Sequence, residues 1–126
     1  QTEDEWQVDF QPFIRRPRRR KQEWLGIVLS RTDDFLLAER FLEDPPTVND
    51  LARFLADAMH RPLIERPHRP RRILLRDNAS WQELLPHLKD LRIEIAIRDD
   101  LPEWDQEFRD WVEALGETGS NRSKGP

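Results

Sequence analysis

Along residues 5–10, EWQVDF, the apolar Trp6, Val8 and Phe10 alternate with Gln7 and Asp9. That period of two belongs to a strand buried on one face. Pro12 and the arginine run behind it are expected to end this strand. WLGIVLS (24–30) and FLLAERFL (35–42) are apolar, partly β-branched or aromatic runs joined by the polar RTDD, a hairpin-like connection. After EDPP the period changes: Val48, Leu51, Ala52, Leu55, Ala58 and Met59 recur at helical spacing. Thr47 is placed as N-cap of this helix, with Asp50 three residues on in a variant capping box. Pro62, Pro67 and Pro70 predict an extended loop. RILLR (72–76) follows as a short strand without alternation, the pattern of a strand covered on both faces.

Ser80 with Glu83 predicts the start of a second helix, whose apolar stripe is Trp81, Leu84, Leu85, Leu88 and Leu91, bent at Pro86. RIEIAIRDD (92–100) alternates Ile93, Ile95 and Ile97 as a fifth strand. Pro102 suits the first position of a third helix with the face Leu101, Trp104, Phe108, Trp111, Val112 and Leu115, closed by Gly116. A polar tail, 117–126, has no apolar anchor and is expected to be disordered. The order is β-β-β-α-β-α-β-α in one α/β domain, residues 1–116, as suits a chain of 126 residues. Right-handed crossovers make the last two strands parallel to a neighbour. The simplest arrangement is a five-stranded mixed sheet of order 3-2-1-4-5, with strand three at an exposed edge open to pairing.

Charge changes this picture locally. The net charge is -4, which argues against a globally basic nucleic-acid binder. Yet RRPRRRK (15–21) and the Pro-broken HRPLIERPHRPRR (60–72) together hold 11 of the 21 Lys and Arg, so two local phosphate-binding patches are available. The chain has no Cys, which excludes disulfides and thiolate metal sites and fits a reducing, cytoplasmic location. No apolar run is long enough to cross a bilayer. His60, His68 and His87 lack zinc-ligand spacing, and with four Gly there is no phosphate-binding loop. The five Trp fall mainly on core-facing positions and read as packing.

Two local strings carry a resemblance. WQVDF resembles the W-x-x-D-F pattern on the first strand of the ribonuclease H-like retroviral integrases and DDE transposases, and ILLRDN resembles the end of their fourth strand. The strand and helix order is similar to theirs over residues 5–113. WQVD together with HRP also resembles an uncharacterised group of bacterial domains of unknown function. The integrase resemblance implies a first catalytic and metal-binding carboxylate at Asp9 and a second at Asp77, followed by Asn78. It implies Mg²⁺ or Mn²⁺ held through oxygen ligands to clamp the attacking and leaving oxygens of a phosphodiester. The family's usual spacing to its third acid leads to Glu113, which lies off the apolar face and is expected to be solvated. Glu103, in the first helical turn, is better placed by topology, as are Asp99 and Asp100 at the end of strand five.

Parallel neighbouring strands lie about 4.8 Å apart, so carboxylates on strands one and four could face a common point. Arg15, Arg16, Arg18, Arg19, Arg20 and Lys21, on the loop leaving strand one, could then steer a DNA or RNA backbone toward them, with Asn78 nearby. A plainer reading stays open: Asp77 opens DNAS, a turn where Asx side chains bond their own backbone, and Asp9 lies in the strand's polar phase. Two functions therefore remain. One is a nucleic-acid-associated module with weak or lost metal-dependent phosphodiester chemistry. The other is a non-catalytic module contacting a protein partner or flanking domains of a larger bacterial protein.

Overall fold

The computed structural model describes residues 4–14, 22–30, 35–60 and 69–124, the side chains of 35, 80 and 116–124 apart. Strand β1 spans Glu5–Ile14, β2 Gln22–Ser30 and β3 Phe35–Leu42; helix α1 is Val48–His60 and β4 is Arg72–Arg76. Two short helices follow, α2 (Ala79–Gln82) and α3 (Leu85–Asp90), then β5 (Glu94–Arg98) and α4 (Pro102–Lys124). The sheet order is β3-β2-β1-β4-β5, as the crossover argument predicts. β1 pairs antiparallel with β2 and parallel with β4, β2 antiparallel with β3, and β4 parallel with β5.

The alternation in β1 divides the core into two layers. Trp6, Val8 and Phe10 point to one face, where they meet Leu51, Phe54 and Leu55 of α1 and Trp81 of α2. The opposite face holds Phe13, Leu25, Ile27 and Leu74 against Leu101 and Trp104 at the start of α4. β4 feeds both layers, Ile73 and Leu75 to one and Leu74 to the other, which is why its sequence is continuously apolar. Trp6, Trp81 and Trp104 are essentially inaccessible, as a packing role requires. The α1 cap is reciprocal: the Asp50 N–H donates to Thr47 Oγ1 at 3.1 Å and the Thr47 N–H to Asp50 Oδ2 at 2.9 Å.

Three local expectations are corrected. β1 does not stop at Pro12 but runs to Ile14, with Pro12 opposite Trp24. The last β1–β4 pair is Val8 with Leu75, so Pro12 lies where one side of the strand has left the ladder and a missing N–H is tolerated. The helix expected across residues 80–91 is two helices. Pro86 cannot donate to the Gln82 carbonyl four residues back, so α2 ends at Gln82 and Pro86 sits in the first turn of α3. Helix α2 also starts at Ala79, one residue before the expected cap at Ser80. Finally, α4 continues past Gly116 to Lys124, since a mid-helix Gly costs only about 1 kcal/mol relative to Ala. Arg92, with φ 61°, turns the chain from α3 toward β5.

Candidate functional site around Asp9

The parallel register decides which residues meet at the end of β4. Val8 is the Cα partner of Leu75, the last pair of the β1–β4 ladder, so one step further along Asp9 lies level with Arg76, the last residue of β4. Asp77 lies in the bend beyond the strand, and its side chain turns to Gln82 and not toward Asp9. Arg76 turns to Asp9.

Asp9 is 1% exposed, and three donors surround its carboxylate. Arg76 Nε donates to Oδ2 at 2.8 Å, and Gln11 Nε2 donates to the same oxygen at 2.7 Å. From α2, just beyond the end of β4, the Trp81 indole Nε1 donates to Oδ1 at 3.2 Å. The second arm of the guanidinium, Nη2, donates to Asp105 Oδ1 of α4 at 2.6 Å. Arg76 thus bridges two carboxylates from different elements while its Cζ lies 5.8 Å from the centroid of the buried Trp104 ring. Partial burial works against its charge, but the hydrogen bonds and the negative charges of Asp9 and Asp105 outweigh that and hold its pKa above the ordinary arginine value. The cation is permanent.

The other predicted residues are dispersed around this pair. Asp77 is exposed, and its Oδ1 accepts from Gln82 Nε2 at 2.9 Å in the turn that leads to α2. Glu103 Oε1 accepts from Gln7 Nε2 at 2.9 Å, while Gln7 Oε1 accepts the Trp104 backbone N–H at 3.0 Å, tying the first turn of α4 to β1. Asn78 is exposed and lines a cleft of about 290 Å³ whose walls include Asp9, Gln11, Trp24, Pro46 and Trp81. Glu113, Asp99 and Asp100 are exposed, as expected of Glu113. Arg15, Arg16, Arg18, Arg19, Arg20 and Lys21 lie outside the described residues.

Among the described residues no group of three or more His, Cys, Asp or Glu side chains converges where a metal ion could be held. A hard divalent cation needs several oxygen ligands and a place for its own charge. Here the two carboxylates that do converge, Asp9 and Asp105, already enclose a guanidinium. The donor set does not fit Mg²⁺ or Mn²⁺ while Arg76 is in place. Arg76, Asp105 and Gln11 were not singled out from the sequence, and Trp81 was read only as core packing. The only signal for Arg76 was a cation next to Asp77 at the end of RILLR, and its meaning depends on a register set by pairing distant segments.

The family described as a domain of unknown function (DUF6930) matches residues 1–111. No curated protein matches the sequence. Among solved structures the chain is similar to the integrase catalytic core domain of HTLV-2 in complex with magnesium, at 12% identity and a TM-score of 0.59, over 75% of this chain and 60% of that one. It is also similar to a chain of the simian T-cell lymphotropic virus intasome in complex with the PP2A regulatory subunit B56 gamma. That match has 13% identity and a TM-score of 0.69 over 94% of this chain and 43% of that one. The chain therefore spans under two thirds of the chains it resembles, and at these identities the likeness establishes the ribonuclease H-like fold alone.

Proposed function

The chain belongs to this family of unknown function, and we propose that it is a nucleic-acid-associated module on an integrase-core-like fold that has given up metal-dependent phosphodiester chemistry. The observation that carries this reading is the ion pair between Arg76 and the buried Asp9. Two-metal phosphodiester cleavage requires carboxylates that converge with open coordination positions. A guanidinium fastened to both Asp9 and Asp105 supplies the positive charge internally and engages a carboxylate oxygen of each that a metal would need. Association with DNA or RNA is supported by the fold likeness and by the sequence between Ile14 and Gln22. There Arg15, Arg16, Arg18, Arg19, Arg20 and Lys21 continue directly from the strand that bears Asp9. Asn78, on the cleft beside Asp9, would add a neutral contact.

The test has two arms on the full chain. Calorimetric titration with Mg²⁺ or Mn²⁺ is expected to show no saturable site, and labelled DNA and RNA are expected to remain uncut. Fluorescence anisotropy with the same oligonucleotides is expected to show binding that collapses with salt, with a slope that falls by about one for each phosphate contact removed among Arg18, Arg19 and Arg20. Metal-dependent cleavage abolished by Asp9→Asn would refute the loss of catalysis. No salt-sensitive binding would refute the nucleic-acid role and favour a protein-interaction module using the edge strand β3.

A further inference from the structure

A second cleft, of about 570 Å³, lies between α1 and α3 and shares none of its described lining with the Asp9 cleft. Its volume falls within the range usual for small-molecule sites, roughly 300–1,000 Å³. The recess follows from the sequence of α1. Residues 52, 55, 56 and 59 form a stripe at helical spacing, but two of them, Ala52 and Ala56, are too small to fill the space that Leu55 and Met59 help enclose. Leu88 and Leu91 of the α3 segment form the facing wall, Leu91 being 39% exposed.

The polar side chains of the described lining are His60, at the last turn of α1, His87 on α3, and Arg69 ahead of β4. All three are exposed. Arg69 Nη1 reaches the Leu91 carbonyl at 3.3 Å, which sets its cationic head beside the apolar wall. An apolar recess with one arginine and two imidazoles around it complements a ligand with a hydrocarbon body and an anionic head.

We propose that the α1/α3 cleft binds an amphipathic carboxylate, its acyl chain against Leu55, Met59 and Leu88 and its carboxylate beside Arg69, His60 and His87. This site is independent of the Asp9 reading. Hexanoate, octanoate and decanoate, with decan-1-amine as the charge-reversed control, are titrated below their aggregation limits into the full chain by calorimetry and NMR. The expected result is one saturable site that tightens about three- to fourfold for each added methylene, with the amine at least tenfold weaker. Arg69→Gln is expected to weaken decanoate about tenfold. Ala56→Phe, which fills the recess from an exposed position, is expected to abolish binding while the melting temperature stays within a few degrees of wild type. No saturable binding, equal affinity for amine and carboxylate, or undiminished binding by Ala56→Phe overturns the proposal. So does concentration-dependent self-association, unaffected by decanoate and removed by Ala56→Phe, which would give the cleft to a second copy of the chain.

Discussion

Replacing Arg76 with Met removes the guanidinium, and with it the cation beside the Trp104 ring, leaving Asp9 with two neutral donors, Gln11 and Trp81. Removing one member of a buried ion pair costs about 3–5 kcal/mol because the remaining charge is desolvated and unpaired. The Arg76 side chain is 22% exposed against 1% for Asp9, so water reaches one side of the pair and the lower end of that range applies, about 3 kcal/mol. For a domain of this size that corresponds to a fall in Tm of roughly 10–15 °C. Urea unfolding is the assay, with an unchanged m-value required so that the shift in midpoint reports native-state stability.

The double variant Arg76→Met/Asp9→Asn discriminates further. If the cost is the orphaned charge, the pair recovers part of the loss, with a coupling of about 1.5–3 kcal/mol. In Arg76→Met alone, Asp9 and Asp105 are left as two carboxylates with no cation between them, so Mg²⁺ or Mn²⁺ is expected to raise the midpoint, as any ligand of the native state does, while wild type is unmoved. A single variant as stable as wild type within about 0.5 kcal/mol, or additive single and double effects, would refute the claim that Arg76 serves as the resident cation of this site.

Asp77→Ala removes an exposed side chain whose partner is the exposed Gln82, and is expected to change stability by less than about 0.5 kcal/mol in the same denaturation assay, in contrast to Asp9→Ala. Thr47→Ala takes away one half of the reciprocal cap on α1 and is expected to cost about 1 kcal/mol, with faster amide exchange in the first turn of that helix. Gly26→Ala would drive a methyl group into the ring of Phe10, which lies across the β1–β2 ladder from it. The expected loss is about 1–3 kcal/mol by thermal melting, and Phe10→Leu in the same chain should relieve part of it.

Patterns carried by neighbouring residues were readable along the chain. The shared face of Trp6, Val8 and Phe10, the helical stripe from Val48 to Met59, and the reciprocal Thr47–Asp50 cap each depend on a few positions in sequence and appear in the structure. But β1 is buried on both faces and not on one, Gln7 and Asp9 in its polar phase being each 1% exposed. The strand order followed from chirality, because two helical crossovers of fixed hand leave few places for β4 and β5. Proline was harder to read, since its effect depends on whether its missing N–H is needed. Pro12 continues a strand where the ladder on one side has ended, whereas Pro86 splits a helix whose hydrogen bonds are internal.

The chemistry around Asp9 was settled only by the fold. Which side chain stands level with Asp9 depends on the register between segments more than sixty residues apart, and a slip of one residue exchanges a cation for an acid. The packing of α4 then brings Asp105 to the other arm of that cation, a contact that no local pattern encodes. Secondary structure and strand order were determined by the sequence because short-range sterics and side-chain periodicity act within a few residues. The closed site was decided by tertiary structure because an ion pair between distant segments exists only after the sheet has chosen its alignment.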